Sequence, residues 1–271
     1  MDNSSSQNIS TEQLAFLNGL KKRERSVKLC QIFILVAFIA IWELTARFGL
    51  IDAFIFSQPS RMLSAAIDMC ISGSIFKHIG ITLFETVVGF SMGTIIGTAM
   101  AIVLWWNSFI NDVSEPYLVV FNSLPKTALA PIIIVWLGNN MSSIIATALL
   151  TSVIVTVLNV SVGFSSVDNE KIKLIYTFGG TKKQVLTKVI LPASVPAIIN
   201  ALKINVGLSF VGVIVGEFLV AKMGLGYLIV YGSQVFKLDW VMLSVVILAI
   251  LAAFMYKTIV LLEKKIMQWR E

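Results

Sequence analysis

Polar and apolar positions fall into long blocks along this chain rather than short alternations. The apolar blocks recur at lengths of roughly 20 residues, enough for a helix to cross about 30 Å of hydrocarbon. They predict six spans, at about 29–47, 79–106, 115–137, 141–164, 195–220 and 240–262. The expected fold class is an all-α integral membrane protein. A polar cytoplasmic tail over 1–28 precedes a transmembrane domain over 29–271, with a helical polar segment over 165–194 between spans four and five.

That polar segment has an internal pattern. Ile172 and Ile175, with Leu174 and Phe178, recur at three- and four-residue spacing, which predicts one apolar helix side. Asp168 and Glu170 stand where a first helical turn favours negative charge. Gly179-Gly180 then ends the helix, since glycine readily takes the left-handed conformation of a helix terminus. Thr181 followed by Gln184 is a capping-box pattern for a second helix. That helix carries Val185, Leu186, Val189 and Ile190 and is expected to end at Pro192, with Pro196 just beyond.

Two spans carry irregularities. The second bears Gly89, Gly93 and Gly97, followed by Ala101. Small residues every fourth position make a smooth face for close backbone approach, either within the chain or between two chains. The third contains Leu-Pro-Lys-Thr-Ala-Leu-Ala-Pro, with Pro125 and Pro131 flanking Lys126. Each proline removes a helix hydrogen bond, so a bend or break is expected near its start. Such breaks are tolerated where the backbone is buried in protein or faces a watery cavity.

Composition agrees with the block pattern. The 271 residues are 57% hydrophobic and 13% charged, against about 45–50% and about 25% in soluble domains. The formal charge of +6 does not point to nucleic acid, because the basic residues flank the apolar blocks. With both termini inside, Lys21, Lys22, Arg23, Arg25 and Lys28, five lysines of the polar segment, and Lys264, Lys265 and Arg270 face the cytoplasm. The other side holds Arg47, Arg61, Lys77, Lys222 and Lys237. That asymmetry predicts cytoplasmic termini and a cytoplasmic 165–194 segment. The first apolar block follows a long polar stretch and has no small-residue cleavage site after it, so it is expected to remain as a span.

No catalytic or metal-binding constellation is visible. His78 is the single histidine, and Cys30 and Cys70 have no metal-ligand spacing. There is no GxxxxGK[ST] phosphate loop, and Gly224-Leu225-Gly226-Tyr227 reads as a turn before the last span. The ionisable residues near or inside spans are Glu85, Lys126, Lys203, Glu217 and Lys257. Such groups are costly in hydrocarbon and face a cavity, a partner charge or the interface. Glu85 is expected at the interface, while Lys203 and Lys257 are expected to snorkel or pair. Pro125, Lys126, Pro131 and Glu217 are the candidate translocation-path residues.

The 165–194 segment resembles the EAA loop of bacterial ABC importer permeases, which has a Glu-Ala-Ala start, a glycine and an Ile-x-Leu-Pro-like ending. Gly179 matches the glycine and Val189-Ile190-Leu191-Pro192 the ending. Val-Asp-Asn-Glu before it, PASVPAIINALKINVG after it and GEFLVAKMGLGYLI further on extend the match. SLPKTALAPIIIVWLG and FSQPSRML resemble the nitrate/sulfonate/taurine branch of that family. The resemblance spans about 55–265. It departs where Lys173, Leu174 and Ile175 replace Glu-Ala-Ala, with Glu170 one turn earlier as the available acid.

The resemblance implies a permease subunit rather than an enzyme, in a bacterial inner (cytoplasmic) membrane, multi-pass, with both termini cytoplasmic. It implies coupling to two ATP-binding subunits through Glu170, Lys173, Gly179, Gly180, Thr181, Lys182, Gln184, Leu191 and Pro192. It further implies a second permease subunit, expected to be another copy, and an extracytoplasmic solute-binding protein. No cofactor is expected on this chain; ATP and Mg belong to the partner subunit. The implied substrate is a small anion such as nitrate, a sulfonate or taurine, the alternative being a pyrimidine- or riboflavin-type heterocycle. An ion-coupled carrier working alone is expected to show inverted repeats, and 29–137 shows no clear symmetry with 141–262. A membrane-embedded enzyme lacks the needed His, Asp or Ser clusters.

Overall fold

The structure, a computed structural model, describes residues 11–267, and all regular elements among them are helical. The first ten residues of the expected tail, and Arg270 at the other end, lie outside the described residues. The chain divides into two compact units, up to Leu63 and from Ser64 onward.

In the first unit, helix α1 (Thr11–Arg47) runs for 37 residues. The polar stretch expected as a tail is therefore helical from Thr11 and continuous with the first apolar block. Its Glu, Gln, Leu, Lys and Arg residues are good helix formers, and no proline interrupts them. A one-turn helix α2 (Ala53–Phe56) follows, capped by Asp52, whose side chain accepts from the Phe54 N–H. Helix α3 (Pro59–Ile71), of which only the part up to Leu63 belongs to this unit, begins with proline, suited to a first turn. The Glu43 carboxylate accepts from Arg47 Nε at 2.6 Å, from the Ser60 N–H at 3.0 Å and from the Ser60 hydroxyl at 2.9 Å. One acid thus ties the start of α3 to the end of α1.

The second unit is organised by its helices α4 (Ser74–Trp106) and α7 (Met141–Ser165). Gly89, Gly93 and Gly97 of α4 lie against Ala148, Ser152 and Thr156 of α7, four-residue steps on both helices. A Cβ at any of the three positions meets a neighbour too close to fit. The smooth face is thus filled from within the chain.

Between these two helices the chain makes the irregular passage that the prolines foretold. Helix α5 (Ser108–Ser123) stops at Leu124, which is extended (ψ 139°) as a residue before proline prefers. A 3₁₀ turn over Lys126–Leu129 leads into α6 (Ala130–Leu137), with Pro131 in its first turn. The two pieces are bent by 88° at the break. Among the described residues five helices are long and apolar enough to cross a membrane, six if this bent pair counts as one span.

After α7 come α8 (Asn169–Thr177) and α9 (Lys182–Val185). Here the structure corrects an expectation. The second hairpin helix does not end at Pro192, nor does a separate fifth span begin at 195. α9 passes through a π turn over Leu186–Ile190 into α10 (Leu191–Val220), making one helix of 39 residues from Lys182 to Val220. The wide turn resets the hydrogen-bond ladder, so Pro192 falls in the first turn of the following α segment, where a missing N–H is tolerated.

α10 packs on α7 beside α4, so that Ala148 of α7 meets glycines of both helices. Gly212 lies against Ala148 and Thr151, and Gly216 against Ile144. Asn205 of α10 donates to Thr156 Oγ1 of α7 at 2.6 Å and to Thr94 Oγ1 of α4 at 3.2 Å, joining all three helices. The glycine turn leads not into the last span but into a short helix α11 (Leu225–Gln234), followed by α12 (Leu238–Met267). Lys203 pairs with Glu263 of α12 at 2.7 Å, while Lys257 is exposed.

Replacing Gly93 with Leu drives a branched side chain into Ser152 on α7. The expected outcome is a loss of about 1–3 kcal/mol or more of stability, in the range of overpacked cores. Thermal unfolding of the purified protein in detergent, compared with Gly80→Leu at a glycine with open space around it, measures it. An equal effect at both sites would count against this packing.

Candidate functional site

The hairpin α8–α9 is built by local chemistry. Asp168 caps α8, its carboxylate accepting from the Glu170 N–H at 2.9 Å. Gly179 ends the turn at φ 75°, and its N–H and that of Gly180 donate to Tyr176 and Ile175 carbonyls. The capping box at the start of α9 is complete. The Thr181 side chain accepts from the Gln184 N–H, and Gln184 Oε1 accepts from the Thr181 N–H at 2.7 Å.

The apolar residues of α8 do not share one side as expected. Ile172 and Ile175 pack onto a core of Val160, Phe164, Val185, Leu186 and Ile190. Leu174, Tyr176 and Phe178 are turned outward, Phe178 being 81% exposed. Three- and four-residue spacing cannot separate these faces, because 172 and 174 lie about 200° apart on the helical wheel. Glu170 and Lys173 are also exposed, as are Thr181, Lys182, Gln184 and Pro192, with Leu191 half-buried.

Lys182 does more than keep the loop basic. Its ammonium donates to the Trp106 carbonyl at 2.7 Å and stands 5.6 and 5.8 Å from the ring centres of Trp105 and Trp106. A cation at the C-terminal end of a helix is also favoured by the helix dipole. The hairpin is thereby attached to α4 as well as continuous with α10.

The candidate path residues do not gather in one place by side-chain bonding. Lys126 donates to the Asn122 carbonyl and side-chain oxygen at 3.0 and 3.3 Å. Pro125 and Pro131 are exposed on either side of it. Glu217 is held by other partners, at the end of the bundle opposite the hairpin.

There Glu217, 1% exposed, accepts from the Thr82 hydroxyl at 2.6 Å and from the Gly226 N–H at 2.5 Å. Thr82 Oγ1 in turn accepts from the Leu225 N–H at 2.8 Å, and His78 Nδ1 lies 3.0 Å from the Gly224 nitrogen. Orphan donors at the start of α11 are thus met by side chains of α4 and α10. Gly224 has φ 123°, and a Cβ there would strike the Glu217 carboxyl, so only glycine meets both demands. Glu85 belongs to the same place. It does not lie at an interface as expected but is 1% exposed, its carboxyl in hydrogen-bonding reach of that of Glu217. The sequence marked Glu85, Glu217 and the glycine turn separately. Thr82 and His78 carried no signal, since their roles depend on residues more than 130 positions away.

A family model described as the binding-protein-dependent transport system inner membrane component matches residues 93–266. The chain belongs to this family. It is an ABC importer permease subunit and a multi-pass membrane protein, and such a subunit works with ATP-binding and substrate-binding components. A formylaminopyrimidine transport permease protein of Halalkalibacterium halodurans is 29% identical, covering 86% of this chain and 92% of that protein. A putative aliphatic sulfonates transport permease protein of Bacillus subtilis is 25% identical, covering 86% of this chain and 84% of that protein. The riboflavin transport system permease protein of Chloroflexus aurantiacus is 26% identical, covering 87% of this chain and 88% of that protein. In fold, the permease is similar to a chain of the MetNI methionine ABC transporter in an inward-facing conformation, with TM-score 0.62 and 19% identity over 72% of this chain and 97% of that one. A chain of an amino acid ABC transporter gives 0.61 and 17%, covering 75% and 98%.

Replacing Thr82 with Val keeps the shape and removes both hydrogen bonds that join α4 to Glu217 and Leu225. Leaving a buried carboxylate and an N–H short of partners is expected to cost about 1–3 kcal/mol. The check is the thermal midpoint in detergent, with Thr258→Val, an exposed threonine bonded only within its own helix, as the reference.

Proposed function

We propose that the permease imports a small solute in an ATP-driven complex. A second copy of this chain completes the path, two ATP-binding subunits carrying ATP and Mg dock on the hairpins, and a solute-binding protein delivers substrate at the opposite face. Both termini and the hairpin lie in the cytoplasm, in keeping with the distribution of Lys and Arg.

The observation that carries this reading is the exposed pair Leu174 and Phe178, one turn apart on a hairpin rooted in two spanning helices, with Tyr176 exposed on another side of the same helix. Large apolar side chains left exposed on a polar segment fit a protein partner better than water. The second hairpin helix is continuous with α10 and Lys182 fastens it to the end of α4, so a push on α8–α9 reaches both helices as a rigid-body motion. Lys173 replaces the acid of the loop pattern, and Glu170 and Lys173 are both exposed for contact with the partner.

For the solute, the branch motifs and the sulfonate-named relatives support a sulfonate-type anion, with nitrate and taurine in the same class. The relative named for formylaminopyrimidine supports a nitrogen heterocycle as the second reading. Pro125, Lys126 and Pro131, at the break of the third span, are the proposed lining of the path.

Phe178→Asp is expected to abolish ATP-driven uptake into proteoliposomes and co-purification of the ATP-binding subunit, leaving the permease's own thermal midpoint unchanged, since the ring touches solvent. Gly179→Val forces a β-branched residue to positive φ, at about 1–2 kcal/mol, and is expected to lose uptake too. Normal uptake by both variants, or uptake by the lone chain driven by an ion gradient, would overturn the reading.

A further inference from the structure

The N-terminal part of α1 carries charge that the first unit leaves unanswered. Lys21, Lys22, Arg23, Arg25 and Lys28 fall within one short stretch, and all five are exposed. The single acid among them, Glu24, pairs with Lys28 at 2.7 Å, both side chains being 65% exposed. Lys21, Lys22, Arg23 and Arg25 have no ion pair or side-chain hydrogen bond among the described residues. Like charges gathered this closely repel one another, so the grouping calls for a counter-charge.

Their place on the helix says where that counter-charge is. α1 passes without a break from these cations into its apolar block, where Leu29, Ile32, Phe33 and Val36 are all more than half exposed. Among the described residues of α1 only Ala46 is buried, so the apolar block is left to lipid. At 1.5 Å per residue, Lys21 to Lys28 covers about 10 Å of helix, close to one Debye length at ~0.1 M salt. All five cations therefore stand within electrostatic reach of the bilayer surface. Round the helix, at 100° per residue, Lys28, Lys21, Arg25, Lys22 and Arg23 follow one another over about 220°. A collar that wide faces lipid headgroups on most of its sides, whereas a docked protein subunit covers one.

From this placement we infer that the collar of α1 is a binding site for anionic phospholipid headgroups, phosphodiesters that carry no ammonium of their own. The planar guanidinium groups of Arg23 and Arg25 take phosphate oxygens in pairs. The lysines act as point charges on long stems that lie along the apolar surface while their ammonium groups stay at the headgroups. A zwitterionic headgroup offers the same phosphate but brings its own cation, which the collar repels, so net charge decides between the two. Basic clusters beside a spanning helix draw anionic lipid in this way. The site lies apart from the hairpin and from the solute path, and it stands whichever solute is carried.

The test uses the full-length permease in phosphatidylcholine nanodiscs, with Cys70→Ser, so that a donor fluorophore sits on Cys30, which is exposed and just past Lys28. Energy transfer is measured to acyl-chain-labelled phosphatidylglycerol or phosphatidylcholine, each present as the same small fraction of the lipid. Transfer to phosphatidylglycerol is expected to exceed transfer to phosphatidylcholine about fivefold at low salt. It should fall to parity in ~1 M salt, where the Debye length is about 3 Å. Lys21→Gln, Lys22→Gln, Arg23→Gln and Arg25→Gln together should remove most of the preference, while Lys21→Arg with Lys22→Arg should keep it. The salt series is read on the intact collar, so it decides the matter even where the glutamine variant misfolds. Equal transfer to both lipids, or a preference that ~1 M salt leaves untouched, overturns the site. So does an equal loss on Lys264→Gln with Lys265→Gln, exposed cations of α12. A preference that vanishes once the ATP-binding subunits are bound also overturns it and gives the collar to a protein partner.

Discussion

The membrane part of this protein depends on how closely α7 is approached from two sides. Lipid tails are as apolar as leucine, so helices in a bilayer gain little from hiding apolar surface and hold together by contact and hydrogen bonding. Gly89, Gly93 and Gly97 bring α4 onto one face of α7, and Gly212 and Gly216 bring α10 onto another. At those distances Asn205 reaches threonines on both neighbours. The buried surface of α7 accordingly includes Thr147, Thr151, Ser152 and Thr156 among its valines and isoleucines.

The same three helices place the two ends of the molecule. At one end the hairpin grows out of α10 without a break and is tied by Lys182 to the last carbonyl of α4. At the other, Glu217 of α10 and Thr82 of α4 together cap α11. Both ends are thus fastened to α4 and α10, and α7 is the rail between them. The helices that carry the hairpin at one end thus carry the carboxyl pair at the other.

Much of this was legible along the chain because it is set by neighbours in sequence. The capping box at Thr181 and Gln184, the left-handed Gly179, and the break between Pro125 and Pro131 each depend on a few consecutive residues, and the structure has all three. Other features were misread for the same reason. Pro192 ordinarily ends a helix, but a π turn one step earlier absorbs it. Ile172 and Leu174 look equivalent by spacing, but one meets Val185 and its neighbours in the core and the other is exposed.

The sequence by itself determined the membrane class, the number of apolar blocks, the hairpin with its caps, and the small-residue stripe on α4. All of these follow from composition, periodicity and local backbone preference, which act over a turn or two. Only the tertiary structure decided what the stripe meets, which side of α8 stays exposed, and that Glu85 and Glu217, 132 positions apart, share one buried place. The reason is physical: in an apolar interior a carboxyl must be answered by donors, and those at hand were Thr82 and the N–H groups of α11. No local pattern names a partner that distant; packing alone brings it within reach.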